Sequence, residues 1–379
     1  MKIIIVYTAP VPYREKFFSA LDKKENIDLT VFYCARQLSC HDWRFKEESY
    51  DKVFLPSRKI CGQALVNFSI FHRLSSSNPD AVIIWGWSFP SAILALLGSR
   101  ILGIPSVIFS DTGLPLYRNF RGILKKIVTI TKRLIVRIPE GFIVQGKLSK
   151  RYLQSLGISE KLIHILPVNC IDTEYWRVNS QLNPKERLEL KKQLGITAKR
   201  LILYAGRLIE GKGLESLLKA YSLVKETHPE IGLLVVGDGP RKDFLEREAK
   251  KNGLKDVHFI GPRAYEDLPK IFGLSGFLVL PTLSDQWPLV ILEAMSCGMP
   301  VVTTTSCGSI PDLIEGKDTG LVVAPDDFQE LAVAMSKILA LQPHENRLIS
   351  QKAMVTAAKY DFRVAAEKLS NFLLFNLNK

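Results

Sequence analysis

Two acidic and two basic side chains carry most of the chemistry legible in this chain. Asp285 and Glu293 stand eight positions apart in SDQWPLVILEAMS, and Arg207 and Lys212 five apart in AGRLIEGKG. An arginine fork beside a mobile lysine charge can grip a diphosphate, with Gly206, Gly211 and Gly213 allowing a close approach. Glu293 is the one charge in an otherwise apolar run of Leu289, Val290, Ile291, Leu292, Ala294 and Met295. A buried carboxylate is costly unless paired or hydrogen-bonded, so Glu293 needs either a protein group or a ligand hydroxyl. Gly237 in VVGDGP and Arg263 in IGPR sit in loops of the same polar, glycine-containing kind.

Such side chains act together only if the elements bearing them bring them together. Phe277–Leu280 reads as a buried parallel strand, residues 282–286 as a polar loop, and Trp287-Pro288 as a helix start with Pro288 in the first helical position. Gly298 and Pro300 end that helix, and Val301-Val302 begin the next strand. Upstream, Leu201–Tyr204, Gly232–Val236 and Val257–Ile260 read as strands, each followed by a Gly-containing loop and a helix. Loops at the carboxyl ends of successive strands converge in a doubly wound sheet, where a helix N-terminus also favours anions.

The first half repeats this architecture without repeating the sequence. Ile3–Tyr7, Leu29–Tyr33, Lys52–Leu55, Ala81–Trp85, Ser106–Phe109 and Gly141–Val144 are apolar runs separated by turns and helical stretches, with helices expected over about 15–22 and 62–74. At 379 residues, 47% of them apolar, the chain suits two α/β domains rather than one core or a disordered polymer. The expected division is an N-terminal Rossmann-like domain over 1–170, a linker over 171–198, a second such domain over 199–355, and a terminal helix within 356–379 that packs back towards the first domain. The 19 uncharged residues Ala81–Ser99 contain Gly86 and Pro90, and read as a strand and a buried helix rather than a membrane span. Six cysteines without C-x-x-C or zinc spacing, and a start that runs directly into Ile3-Ile4-Ile5-Val6, suit reduced thiols and a cytoplasmic location.

Charge is uneven. Residues 1–180 hold 25 Lys/Arg against 14 Asp/Glu, whereas 181–379 hold 26 against 24. The excess includes an acid-free amphipathic stretch, Arg118 to Arg137, suited either to an ordinary solvated helix face or to peripheral contact with anionic lipid. No nucleic-acid module accompanies it, which sets nucleic acid aside as a partner.

Taken together, AGRLIEGKG, VVGDGP, FIGP and SDQWPLVILEAMSCGMPVV resemble the nucleotide-sugar domain of retaining GT-B glycosyltransferases of family 4, over roughly residues 201–325. The resemblance implies two Rossmann-like domains facing each other across a cleft. It implies that Glu293 holds the nucleotide ribose, that Asp285 lies beside the transferred sugar, and that Arg207 and Lys212 grip the diphosphate. The amides of Leu289 and Val290 would meet the distal phosphate, while Pro288 replaces a frequent Gly and removes one amide donor. Gly237 and Arg263 complete the donor side. In the N-terminal half, the PYR stretch with Tyr13 and Arg14, the WGWSF stretch with Trp85, FSDTG and VNCIDTEYW are similar to a bacterial-type branch. This assigns Tyr13, Arg14, Trp85 and Asp111 to the acceptor side, Asp111 standing where many relatives have His.

The expectation is a glycosyltransferase of the hexosyltransferase type, moving a sugar from a nucleotide diphosphate to a glycan or lipid-linked acceptor, in cell-surface polysaccharide or glycolipid assembly. Neither cofactor nor metal is implied. The alternatives are another GT-B activity, such as a nucleotide-sugar epimerase or a sugar phosphorylase, and a non-catalytic partner that binds nucleotide or membrane within a glycan-assembly complex.

Overall fold

The structure is a computed structural model and describes residues 1–37, 48–60, 64–87, 89–110 and 132–377. It divides into two compact units, one of residues 1–170 with 362–379 and one of residues 171–361.

In the first unit the β-branched runs form parallel strands. They are β1 (Lys2–Tyr7), β2 (Asp28–Tyr33) and β3 (Asp51–Phe54), followed by a small antiparallel pair, β4 (Arg58–Ile60) and β5 (Ala64–Val66). Then come β6 (Ala81–Trp85), β7 (Ser106–Ser110), β8 (Gly141–Val144) and β9 (Ile163–Ile165). The seven-stranded sheet runs β3-β2-β1-β6-β7-β8-β9, parallel throughout. The uncharged stretch from Ala81 is β6 followed by the helix Pro90–Leu102, as its Gly and Pro punctuation indicates. The helix Pro12–Asp22 begins earlier than its apolar periodicity suggests, because Pro12 supplies the first turn. The helix expected over 62–74 forms only as Ile70–Ser77, preceded by the β4–β5 pair. The terminal helix Phe362–Asn376 buries Ala365, Leu369 and Leu373 in the same core as Phe17, Phe18 and Leu21.

The second unit contains β10 (Arg200–Ala205), β11 (Ile231–Val236), β12 (Val257–Gly261), β13 (Phe277–Leu280), β14 (Val301–Thr304) and β15 (Gly320–Val323). Their order is β12-β11-β10-β13-β14-β15, again all parallel. The chain winds outward from β10 through β12, returns to the other side of β10 with β13, and winds outward again. Each unit is therefore a doubly wound, Rossmann-like α/β sheet. Residues 171–198, expected as a linker, fold instead as the helices Thr173–Asn179 and Pro184–Gln193 of this unit. Trp176, fully buried against Phe272, ties the first of these helices to the core.

Candidate functional site

Reversal of strand order between β10 and β13 opens a crevice beyond their carboxyl ends, the place where doubly wound sheets bind ligands. Arg207 and Lys212 lie in the loop after β10, and Asp285 in the loop after β13. Those loops are stitched together. Leu283 N donates to the Gly211 carbonyl at 2.9 Å, the Thr282 hydroxyl to the same carbonyl at 3.1 Å. Lys212 Nζ pairs with the Asp285 carboxylate. The loop after β14 pins Asp285 from its other side, through Asp285 N to the Ser306 carbonyl at 3.2 Å and Gly308 N to the Asp285 carbonyl at 2.8 Å.

Two glycines make this approach feasible. Gly213 has φ +68°, and a Cβ there would stand 2.0 Å from the Pro281 carbonyl oxygen. Gly237, at the end of β11 with φ +129°, would meet the Gly206 carbonyl oxygen at 2.0 Å. Any larger residue would combine backbone strain with a clash against main chain that cannot move aside. Arg207 is held by its backbone, since the Tyr204 hydroxyl donates to its carbonyl at 2.9 Å, while its side chain is exposed. Arg263 is also exposed, but follows edge strand β12, with β11 standing between that strand and β10.

The helix after the Asp285 loop is Leu289–Ser296. Pro288 does not occupy its first turn: it is the N-cap, in extended conformation, and offers no side-chain hydrogen bond. The physical reason is the fixed proline φ, equally compatible with an extended cap and a helical turn. The amides of Leu289 and Val290 thus open the helix without a capping side chain, a positive end suited to an anion.

Glu293 lies in the second turn of this helix. Its carboxyl is packed round by protein although the residue keeps some solvent access, and burial pushes its pKa up to about 8. It has no hydrogen-bond partner among the described residues. Glu15, by contrast, is 1% exposed and accepts from Tyr33 Oη at 3.1 Å, Tyr50 Oη at 2.6 Å and Lys52 Nζ at 2.7 Å. One buried glutamate is fully satisfied by the fold; the other is left bare beside the crevice.

Sequence reasoning missed the aromatic group next to Glu293. Trp176 Nε1 donates to Tyr265 Oη at 3.0 Å, and Tyr265 stacks on Tyr175 with ring centres 5.7 Å apart. Burial, chiefly, and the negative charge of Glu293 raise the Tyr265 hydroxyl pKa far above its ordinary value. The signal was available as an aromatic residue in the loop after a strand, but Tyr265 is 28 positions from Glu293 and nothing in the spacing joins them.

The acceptor-side assignments fare differently. Arg14 is 3% exposed, its guanidinium 4.7 Å from the centre of the Trp85 ring and 5.2 Å from that of Tyr13, and it donates to the Val168 carbonyl. Trp85 is 7% exposed among Tyr7, Phe17, Phe18 and Phe109. Both belong to the packed interior of the first unit rather than to an accessible platform, because the end of β6 is roofed by the helix Pro12–Asp22. Tyr13 is half-buried. Asp111 lies outside the described residues, as does the basic stretch from Arg118 except its last turn. There Lys132 Nζ lies 3.4 Å from Tyr152 Oη and 5.9 Å from the centre of the Trp87 ring.

Residues 186–354, the greater part of the second unit, match the family model for glycosyl transferases group 1. Solved structures cover almost the whole chain: Anabaena HepE in complex with UDP and glucose, over 98% of this chain and 99% of that one (TM-score 0.73, 19% identity). WaaG, a glycosyltransferase involved in lipopolysaccharide biosynthesis, covers 98% and 99% (TM-score 0.70, 18% identity). With these structures the chain shares the GT-B fold, two doubly wound α/β units.

Among curated sequences it is similar to the alpha-D-kanosaminyltransferase of Streptomyces kanamyceticus, 31% identical over 48% of each chain. It is also 29% identical to the sulfoquinovosyl transferase SQD2 of Arabidopsis thaliana, over 73% of this chain and 53% of that protein. The chain spans about half the length of these curated relatives.

Proposed function

We propose that this protein is a retaining glycosyltransferase of family 4 that takes its sugar from a nucleoside diphosphate. The observation that carries the reading is the bare Glu293 carboxyl, one helical turn inside an uncapped helix N-terminus, in the helix that follows the loop bearing the Lys212–Asp285 pair. A carboxylate with no protein partner suits two vicinal ribose hydroxyls. A helix N-terminus with a lysine and a free-standing arginine suits a diphosphate.

In the proposed reaction the bond between the anomeric carbon and the distal phosphate oxygen breaks, and its electron pair leaves on that oxygen. Arg207, Lys212 and the amides of Leu289 and Val290 stabilise the developing charge. The acceptor hydroxyl bonds to the anomeric carbon on the face just vacated, and its proton passes to the departing phosphate oxygen. Asp285 stands beside the sugar, holding Lys212 in place until phosphate competes for it. Gly237 and Arg263 border the donor, Arg263 at the outer end.

A screen of UDP, GDP, ADP and TDP by thermal shift, followed by transfer assays with sugars on the winning nucleotide, tests this reading. At 100 times its dissociation constant a nucleotide adds about 2.7 kcal/mol to stability, a shift easily read. With charge neutralised by side chains and amides, transfer is expected to survive EDTA. Complete loss with EDTA and recovery with Mg²⁺ would reject the metal-free scheme.

The acceptor side of the proposal is a glycan or lipid-linked carbohydrate at the inner face of a membrane, met through the basic N-terminal half. None of the helices formed by the described residues is long and apolar enough to cross a membrane. Contact would be electrostatic and peripheral, hence salt-sensitive, as screening shortens the reach of charge from about 10 Å at 0.1 M to about 3 Å at 1 M salt. Co-sedimentation with anionic liposomes that vanishes at high salt is the expected result; equal binding to neutral liposomes counts against it.

A further inference from the structure

A second cavity lies at the opposite edge of the same sheet. It has a volume of about 500 Å³ and opens below the amino ends of β13 and β14, lined by Gly276 and Met299, which precede those strands. Three helix segments wall it: the end of Thr173–Asn179 with Arg177, the helix Pro184–Gln193 with Arg187, and the first turns of Pro343–Ala358 with Asn346 and Arg347. Among the described residues, three arginines line this space and no aspartate or glutamate does.

Two of these charges lack an acidic partner among the described residues. Arg177 is the exception, forming a two-point pair with Glu174 at 2.9 and 2.6 Å. Arg187 directs two N–H groups at the Leu274 and Gly273 carbonyls, at 3.0 and 2.6 Å, leaving its charge without an acidic partner among the described residues. Arg347 makes a single long contact, from Nε to the Pro343 carbonyl at 3.4 Å. In the wall, Ser275 Oγ is shielded from solvent and has no hydrogen-bond partner. A concave site of this volume, cationic and edged by hydroxyl and amide side chains, matches a small polyhydroxylated anion.

The cavity meets the donor crevice through one element. The helix Leu289–Ser296 presents its N-terminus to the crevice and its C-terminal end, Ser296 and Cys297, to the cavity. Eight residues span only about 12 Å. Cys297 N donates to the Glu293 carbonyl at 3.2 Å, and Cys297 Sγ lies 3.7 Å from the Trp176 carbonyl. Trp176 in turn holds the Tyr265 hydroxyl, which feels the charge of Glu293. Any ligand that draws Arg177 and Arg347 together therefore bears on the C-terminal end of the helix that carries Glu293.

We propose that this cavity binds a small phosphomonoester, of the size of a hexose phosphate, and that its occupancy alters nucleotide affinity at the donor crevice. The coupling, though not the cavity site, rests on the proposed donor site. The test is titration of the full chain with glucose 6-phosphate, inorganic phosphate and glucose, followed by thermal shift and calorimetry. Arg347→Glu and Arg177→Glu reverse charge at exposed positions and are expected to fold. Lys212→Ala serves as the donor-site control.

Glucose 6-phosphate should bind the native chain and Lys212→Ala alike, about tenfold more weakly in either arginine variant, and glucose not at all. Saturating glucose 6-phosphate should change the dissociation constant of the preferred nucleoside diphosphate about threefold or more in the native chain and not in Arg347→Glu. Inorganic phosphate binding as tightly as the sugar phosphate would reduce the site to a simple anion site and overturn the assigned ligand class. Binding lost in Lys212→Ala but retained in both arginine variants would assign the anion to the donor crevice and overturn the proposal. Binding without any change in nucleotide affinity would overturn the coupling.

Discussion

Lys212→Ala is expected to lower kcat/KM for sugar transfer by about a hundredfold or more, because it removes a charge aimed at the leaving diphosphate. Arg207→Ala should lose a similar amount, yet the two variants should differ when free of ligand. Lys212 is paired with Asp285, both side chains being under a fifth exposed at 19% and 17%. Deleting the lysine strands a half-buried carboxylate, so a lowered melting temperature should accompany the loss of turnover. Arg207 is exposed with only its backbone fixed, and its removal should leave stability unchanged. Asp285→Asn frees the lysine without emptying the space; it is expected to tighten nucleotide binding while slowing transfer. Losses under about fivefold in both the lysine and the arginine variants would sink the phosphate assignment. A lysine variant that destabilises without affecting turnover would make the ion pair a purely structural stitch between two loops.

The strands bearing this site were legible because a buried parallel strand leaves a continuous apolar run. Phe277–Leu280, Ile231–Val236 and Ile3–Tyr7 are each such runs punctuated by Gly or Pro, and each forms a strand. The edges were less visible. In β9 and β15, Ile163–Ile165 and Gly320–Val323, only one residue each is fully buried, and short half-exposed runs carry little signal. The helices at 173–179 and 184–193 read as linker because their surfaces are charged. What recruits them to the second unit is a few tertiary contacts, chiefly Trp176 on Phe272 and the Arg187 cap on Gly273 and Leu274. Propensity is a weak prior against such packing.

Within the site, spacing disclosed which residues share a loop but not which side chains meet. Lys212 and Asp285 are 73 positions apart, and only the adjacency of β10 and β13 makes them partners. Arg14 and Trp85 illustrate the reverse error. The resemblance assigns both to the acceptor side, yet here they stack on each other in the interior, where the Arg14 guanidinium lies over the Trp85 ring and donates to the Val168 carbonyl. Nor could composition distinguish Glu15 from Glu293. Glu15 stands between Arg14 and Lys16 and Glu293 in an apolar run, yet only the structure shows that the first is buried and satisfied and the second has no partner among the described residues.

That contrast yields the second large effect. Burial raises the Glu293 pKa from about 4.5 to about 8 with no hydrogen bond to offset it, so in the free protein the carboxyl holds its proton at neutral pH. The folded state then binds more protons than the unfolded state between those two values, and stability falls as pH rises across that window. The loss from this one group is on the order of a few kcal/mol between the acid limit and pH above 8. Glu293→Gln keeps the shape and removes the titration. Its melting temperature should therefore be flat where the native protein declines, and the variant should be the more stable of the two above pH 8.

Nucleotide binding should show the opposite sign. An ionised carboxylate accepts from two ribose hydroxyls and a neutral carboxyl does so poorly, so binding should release a proton from Glu293 and strengthen as pH rises towards 8. The amide of the variant offers one acceptor and an intrusive donor, so its affinity should fall by about tenfold or more, with no proton release from this group. Calorimetry in buffers of different ionisation enthalpy reads that proton directly. Equal proton release in both proteins would place the titrating group elsewhere, on the nucleotide phosphates. A variant that binds nucleotide normally but melts far below the native protein would make Glu293 a core residue and leave the crevice without its ribose anchor.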